Sequence, residues 1–149
     1  MNPNLLPDTR SFSGYANLYR WLRQDDYQDC RKYGRGELWG GLYKGVTIDA
    51  GVWYTFSVTV VAEVGVRFIL PLLLPNESYE QITQTQREFT AVEKMSYERV
   101  SITFKSETSR PVYPRVEINK DYSKNWIQVC QYKLEKGKKA TPWCPNVND

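Results

Sequence analysis

The chain has 149 residues and a formal net charge of +3, with basic and acidic side chains interleaved along most of it. One domain with a real hydrophobic core is expected, and a basic stripe for nucleic acid is not. There is no histidine, and the three cysteines (Cys30, Cys130, Cys144) have no CxxC spacing. This excludes Ser/His/Asp and Cys/His catalysis and argues against zinc.

In chain order, Asn4-Leu5-Leu6 reads as a short edge strand closed by Pro7-Asp8. Residues 16–22 read as one strand, with Leu18, Arg20 and Leu22 opposite Tyr19, Trp21 and Arg23; a short helix fits almost as well. Residues 24–36 are charged and rich in turn formers, and predict the longest loop of the first half. Residues 37–48 read as strand material with a bend at Gly40-Gly41.

The clearest strand runs from Trp53 to Val61, with Tyr54, Phe56, Val58 and Val60 on one face and Trp53, Thr55, Ser57 and Thr59 on the other. That period of two predicts one buried and one solvated face. Residues 64–74 are dense in apolar side chains, as in a fully buried strand or a packed loop. After a break at 75–78, residues 79–88 are polar and residues 89–95 read as a short strand. Arg99 to Lys105 alternates again. Val112 to Asn119 places Val116 and Ile118 inward and Arg115 and Glu117 outward. Residues 120–125 form a turn before a final strand, Trp126 to Leu134. Gly137 then permits a turn, Pro142 and Pro145 stop ladder pairing, and Trp143 reads as an aromatic plug on the core. Short strands at this spacing, without a long amphipathic helix, predict an all-β, antiparallel β-sandwich of jelly-roll type over residues 1–149.

No charged start followed by an apolar run marks a signal peptide, and the apolar run from Phe68 to Leu74 is too short to span a bilayer. The odd cysteine count is read as free thiols from a reducing compartment, with one bridged pair the alternative and Cys130 a small buried hydrophobe. No phosphate-cradling glycine loop is present. A carboxylate pair for glycoside hydrolysis is not excluded by residue type; Asp25, Asp26 and Glu37 are its candidates, though solvated loop charge is the plainer reading. A calcium ion held by carbonyls and scattered carboxylates stays open, and no other cofactor is expected.

The positive signal is aromatic: eleven Tyr and five Trp. Tyr54, Phe56, Phe104 and Trp143 are assigned to the core; for Trp143 a neighbouring subunit is the alternative. Rings in polar or glycine-flanked settings can stack on sugar faces while nearby polar groups bond the hydroxyls. The candidate ligand-binding residues are therefore Tyr19, Trp21, Arg23, Asp25, Tyr27, Trp39, Tyr43 and Tyr79, with core packing the competing reading for each.

Several segments resemble a known family in order. Asn4-Leu5-Leu6 is similar to the opening of jelly-roll carbohydrate-binding modules, and Gly51 to Val58 to their G-x-x-Y-T-x-S strand. Residues 95–104 resemble their W-x-R-x-S-x-T-F strand, with Tyr97 in place of the usual Trp. Leu134-Glu135-Lys136-Gly137 with Ala140-Thr141-Pro142-Trp143 and Pro145 is the most specific piece. It resembles the end of such modules in tail, baseplate and receptor-binding proteins of bacteriophages of Gram-positive hosts. The resemblance implies a non-catalytic module on a virion, made in the host cytoplasm and acting outside it. Its partners would be host cell-wall or surface polysaccharide and other tail or baseplate proteins, with a homo-oligomer open and neither nucleic acid nor membrane involved. A structural or oligomerisation module without a ligand, and a polysaccharide hydrolase, are the alternatives. Residues 24–36 match no pattern of that family, so the site residues rest on the aromatic and polar reading alone.

Overall fold

Period-two alternation over Trp53–Ala62 makes one of the two longest strands, and its neighbours build the larger layer of a sandwich. The computed structural model describes residues 2–74, 76, 77, 82, 87–91, 96–120 and 126–149. In order the strands are β1 (Ala16–Leu18), β2 (Leu22–Tyr27), β3 (Cys30–Gly34), β4 (Gly41–Tyr43), β5 (Val46–Ile48) and β6 (Trp53–Ala62). They continue with β7 (Arg67–Ile69), β8 (Glu88–Thr90), β9 (Glu98–Lys105), β10 (Arg110–Val112), β11 (Glu117–Lys120) and β12 (Ile127–Lys136). All pairings are antiparallel, and the described residues contain no helix.

The larger sheet has the order β2-β3-β12-β6-β9; against it lie β11-β7-β8 and the pairs β1-β4 and β10-β5. One core joins the layers. Tyr54, Phe56, Val58 and Val60 from β6, Ile102 and Phe104 from β9, and Leu134 from β12 meet Phe68, Ile118, Val112, Ile48 and Leu42 from the smaller sheets. The fold is the expected antiparallel jelly-roll sandwich.

Several local expectations are corrected. Asn4-Leu5-Leu6 is not a strand; Leu5 N donates to Leu134 O while Leu6 enters the core. Residues 16–22 are broken in two, because Tyr19 and Arg20 take left-handed φ values of 62° and 65°. That reversal inverts the faces: Trp21 goes in and Leu22 comes out, 63 % exposed. The predicted loop at 24–36 is largely the β2–β3 hairpin. Arg115 and Glu117 do not face solvent. They are buried together, Arg115 Nη2 lying 2.7 Å from Glu117 Oε1 with its guanidinium over the Tyr43 ring. The strand predicted over 89–95 is realised as β8; residues 92–95, the break residues 75 and 78, and the turn at 121–125 lie outside the described residues.

β6 departs from the simple alternation most usefully. Its polar face (Thr55, Ser57, Thr59) is as buried as its apolar face. Segment 137–143 crosses that polar face: Thr55 Oγ1 donates to Gly137 O at 2.8 Å and Thr103 Oγ1 to Lys138 O at 3.3 Å.

Candidate functional site

The outer face of the five-stranded sheet is polar by register. Thr59 on β6 stands opposite Arg99 on β9 and Cys130 on β12, and Ser57 stands opposite Ser101 and Lys133. An irregularity in β12 between Cys130 and Lys133 interrupts this grid. There Gln131 takes a φ of 57°, a region that costs a non-glycine residue about 1–3 kcal/mol and needs surrounding contacts to hold it. The contacts come from both sides. Arg99 Nη1 donates to Gln131 O at 2.5 Å and to Thr59 Oγ1 at 3.1 Å, and Arg99 Nη2 donates to Ser57 Oγ at 2.5 Å. Thr59 Oγ1 donates to Gln131 Oε1 at 2.7 Å, and Gln131 Nε2 donates to Gln28 Oε1 at 3.1 Å. Gln28 lies at the tip of the β2–β3 hairpin and is also left-handed, with φ 54°.

These groups floor a recess of about 360 Å³ whose other wall is the C-terminal segment: Ala140, Thr141, Pro142 and Trp143. The size suits a small ligand, and the make-up is a flat apolar wall facing a few fixed polar groups. The wall is anchored through the buried Lys133 and Glu135, 4.0 Å apart. Lys133 Nζ donates to Thr141 Oγ1 (2.8 Å) and Pro142 O (3.0 Å), and Glu135 accepts from Thr141 N (3.1 Å) and Thr141 Oγ1 (2.7 Å). Trp143 Nε1 donates to Thr9 Oγ1 at 3.1 Å. Beneath, Asn4 fills the place where β3 stops pairing with β12. Its Nδ2 donates to Tyr132 O at 2.9 Å and its Oδ1 accepts from Leu134 N at 3.1 Å. Trp143 is thus not the core plug expected from the sequence but a half-buried ring lining the recess.

Beside the recess, Tyr27 stacks on Tyr97, ring centroids 4.0 Å apart and planes 13° apart. Lys32 Nζ donates to Tyr97 Oη at 2.8 Å. Cys30 and Cys130 lie buried here, and burial pushes both thiols from 9.0 up to about 12.

The residues singled out in the sequence fall in four places. Tyr27 borders the recess. Tyr19 and Trp39 lie at the corner where the chain passes between layers, 53 % and 47 % exposed and both left-handed, with Glu37 N donating to Tyr19 O and Arg20 paired to Glu37 at 3.7 Å. Arg23 and Asp25 lie exposed on the edge strand β2, Arg23 Nη2 3.5 Å from Asp26 Oδ1. Trp21 and Tyr43 are packed: Trp21 is 2 % exposed, against Gly36, where a Cβ would come within 1.9 Å of the indole nitrogen, and Tyr43 meets Tyr113 and Arg115. Trp21 therefore has no open face for a ligand. Tyr79 lies outside the described residues. The recess residues Gln28, Arg99, Gln131 and Trp143 were not singled out as ligand-binding. The ending Ala140-Thr141-Pro142-Trp143 was the available signal, since two prolines flanking a ring mark a chain that must lie on a surface. Among the described residues no three His, Cys, Asp or Glu side chains come together to hold a metal.

The architecture is that of the β-sandwich carbohydrate-binding modules. No protein-family description matches the chain, and no curated protein matches its sequence. Among solved structures it is similar to the CBM22-1 and GH10 modules of xylanase 10B from Clostridium thermocellum, complexed with xylohexaose. The TM-score is 0.62 at 16 % identity, over 91 % of this chain but only 29 % of that one. It is similar to TmCBM61 in complex with β-1,4-galactotriose, TM-score 0.58 at 11 % identity, over 90 % and 99 % of the two chains. The tripod from the baseplate of bacteriophage Tuc2009 has TM-score 0.56 at 15 % identity, over 99 % of this chain and 60 % of that one.

Proposed function

We propose that the chain is a non-catalytic saccharide-binding module of a phage tail or baseplate protein, which adheres to polysaccharide on the host cell surface. The observation that carries this reading is the recess itself. It sets an indole and a proline ring against two amides and a guanidinium, the polar groups being held by part-buried hydrogen bonds before any ligand arrives. Preorganised polar groups beside an apolar wall suit a sugar, which has one apolar face and a rim of hydroxyls. Support for a binding rather than hydrolytic role comes from the lining, which among the described residues holds no carboxylate, whereas glycoside hydrolysis commonly uses two. Support for the tail setting comes from the baseplate likeness over nearly the whole chain.

The test is binding of the purified domain to host cells and to a glycan array, with Trp143→Ala beside Trp39→Ala. Loss of the Trp143 ring is expected to weaken binding about tenfold or more, near 1.4 kcal/mol, with little effect from Trp39→Ala. The opposite pattern would move the site to the Tyr19–Trp39 corner. The baseplate likeness also favours a second reading, a module that builds or trimerises the tail without a ligand. That reading gains if no cell or glycan is bound while deletion of the domain stops tail assembly.

A further inference from the structure

Arg99 is more than a brace for the β12 irregularity. A guanidinium carries five N–H donors. Three bonds are made to protein: two from Nη1, to Gln131 O and Thr59 Oγ1, and one from Nη2, to Ser57 Oγ. All three acceptors are neutral oxygens. The Nε donor and one Nη2 donor have no acceptor among the described residues, and the side chain keeps an exposed surface at the recess. Nor does Arg99 form an ion pair with any described carboxylate.

The buried carboxylate on this face, Glu135, favours the Arg99 charge through space but forms no ion pair with it. Glu135 is buried against Lys133, and its oxygens accept from Thr141 and Asn2. Lys32 is held against the Tyr97 ring and hydroxyl, again without a carboxylate partner among the described residues. Arg99 stands opposite Thr59 and Thr59 opposite Cys130, while Tyr33 and Val129, the neighbours of Lys32 and Cys130, stand opposite each other, so the register puts both cations on one face of the sheet. The exposed acids nearest in sequence, Asp29 beside Gln28 and Glu98 beside Arg99, make no ion pair with either cation. The recess therefore presents one cation, Arg99, with donors on two nitrogens of a planar fork left open, and the buried Lys32 lies behind it on the same face.

We infer that the saccharide held in this recess carries an anionic group, a carboxylate or a phosphate, seated on the Nε–Nη2 edge of Arg99 with Lys32 adding to the field. The inference rests on the saccharide reading above and narrows its ligand class. A planar fork matches the oxygens of either anion, and a desolvated, charge-assisted pair is stronger than a bond to a sugar hydroxyl. Pro142 and Trp143 would then hold the sugar ring while Arg99 fixes its charged substituent.

The test titrates the intact domain, by calorimetry, with three probes: a neutral xylo- or galacto-oligosaccharide, a uronate-containing oligosaccharide, and a glycerol-phosphate oligomer. Each is measured at about 20 and about 200 mM sodium chloride, which spans strong and weak screening. At least one anionic probe is expected to bind about tenfold or more tighter than the neutral one, with affinity falling as salt rises. Preference for the uronate or the phosphate arm then names the anion. Arg99→Gln is expected to abolish the preference, and Arg99→Lys to restore it only in part, because the charge returns without the fork. If Arg99→Gln does not fold, the salt dependence and Lys32→Gln decide, the latter expected to reduce the preference several-fold. Salt-independent binding of the neutral probe at equal affinity overturns the anionic inference and leaves the saccharide reading standing. Binding of none of the three, with no host polysaccharide bound either, overturns both.

Discussion

Gln131 shows how much of this molecule is decided by single backbone angles. A left-handed residue within a ten-residue strand shifts the register of β12 by one position, and hydrogen bonds with Arg99, Thr59 and Gln28 brace that conformation. Tyr19 and Arg20 do the same earlier, and send Trp21 inward. Trp21→Ala should therefore act on stability and not directly on a ligand. Emptying a buried indole site is expected to cost about 3–5 kcal/mol. Urea unfolding checks this; a loss below about 1 kcal/mol would mean the ring is not core. Cysteine chemistry divides in the same way. Cys30 and Cys130 are buried, with thiols held up to about 12, whereas Cys144 is half-buried at the surface. A thiol reagent at neutral pH should label Cys144 in the folded protein and all three cysteines only after denaturation, because the thiolate is the reactive form.

At the scale of elements, the strands that can be read in the sequence are those whose neighbours obey a single period. β6 and β9 alternate in sequence and lie where the sequence places them, and β12 lies where it is placed although its alternation breaks at Gln131. The β2–β3 hairpin reads as a loop because its strands are charged. It lies at the edge of the sheet, where only β3 reaches the core, so apolar content is not required of β2. The recess was not legible: the sequence reading put Trp143 in the core as a plug, and Arg99, Gln28 and Gln131 meet through an irregularity that no sequence period marks. The latch of the C-terminal segment explains why its motif pairs Glu135 with Thr141. Two bonds from one threonine satisfy both oxygens of a buried carboxylate, and a third, from Lys133, ends on its hydroxyl. Thr141→Val keeps the shape and removes the hydroxyl, leaving Glu135 Oε1 and Lys133 Nζ each short of a partner. Removing hydrogen bonds to buried charged groups is expected to cost about 2–4 kcal/mol. If unfolding showed no loss, the segment would not be held by this latch, and the recess would lose its wall.

At the scale of the whole molecule, the fold buries groups able to ionise only at high pH, both in the core between the layers (Tyr132) and beside the recess on the outer face (Cys30, Cys130). Cys30 and Cys130 are raised from 9.0 to about 12 by burial, and burial pushes the Tyr15 and Tyr132 hydroxyls above their ordinary range as well. The direction of the pH effect follows from proton counting. Between the ordinary thiol pKa and about 12 the folded chain keeps protons that the unfolded chain gives up. The unfolded state then binds fewer protons, and stability falls as pH rises. The contribution is fully present below about pH 8 and is lost progressively above 9, at up to about 1.4 kcal/mol per pH unit for each group in its window. The net charge of +3 holds only near neutral pH; above about 9 basic side chains lose protons, the chain turns negative and charge repulsion adds to the fall, so the thiol part of the slope is read by comparison with a variant lacking the two buried thiols. Unfolding midpoints in urea should therefore be level from about pH 6 to 8 and fall steeply from 9 upward. The double variant Cys30→Ala, Cys130→Ala starts less stable but should show a shallower fall between 9 and 12, because the part of the slope due to these two thiols is gone. An unchanged slope in that variant would show that neither thiol is held protonated by the fold, and the packing of β3 against β12 around Cys30 and Cys130 would be looser than the structure places it.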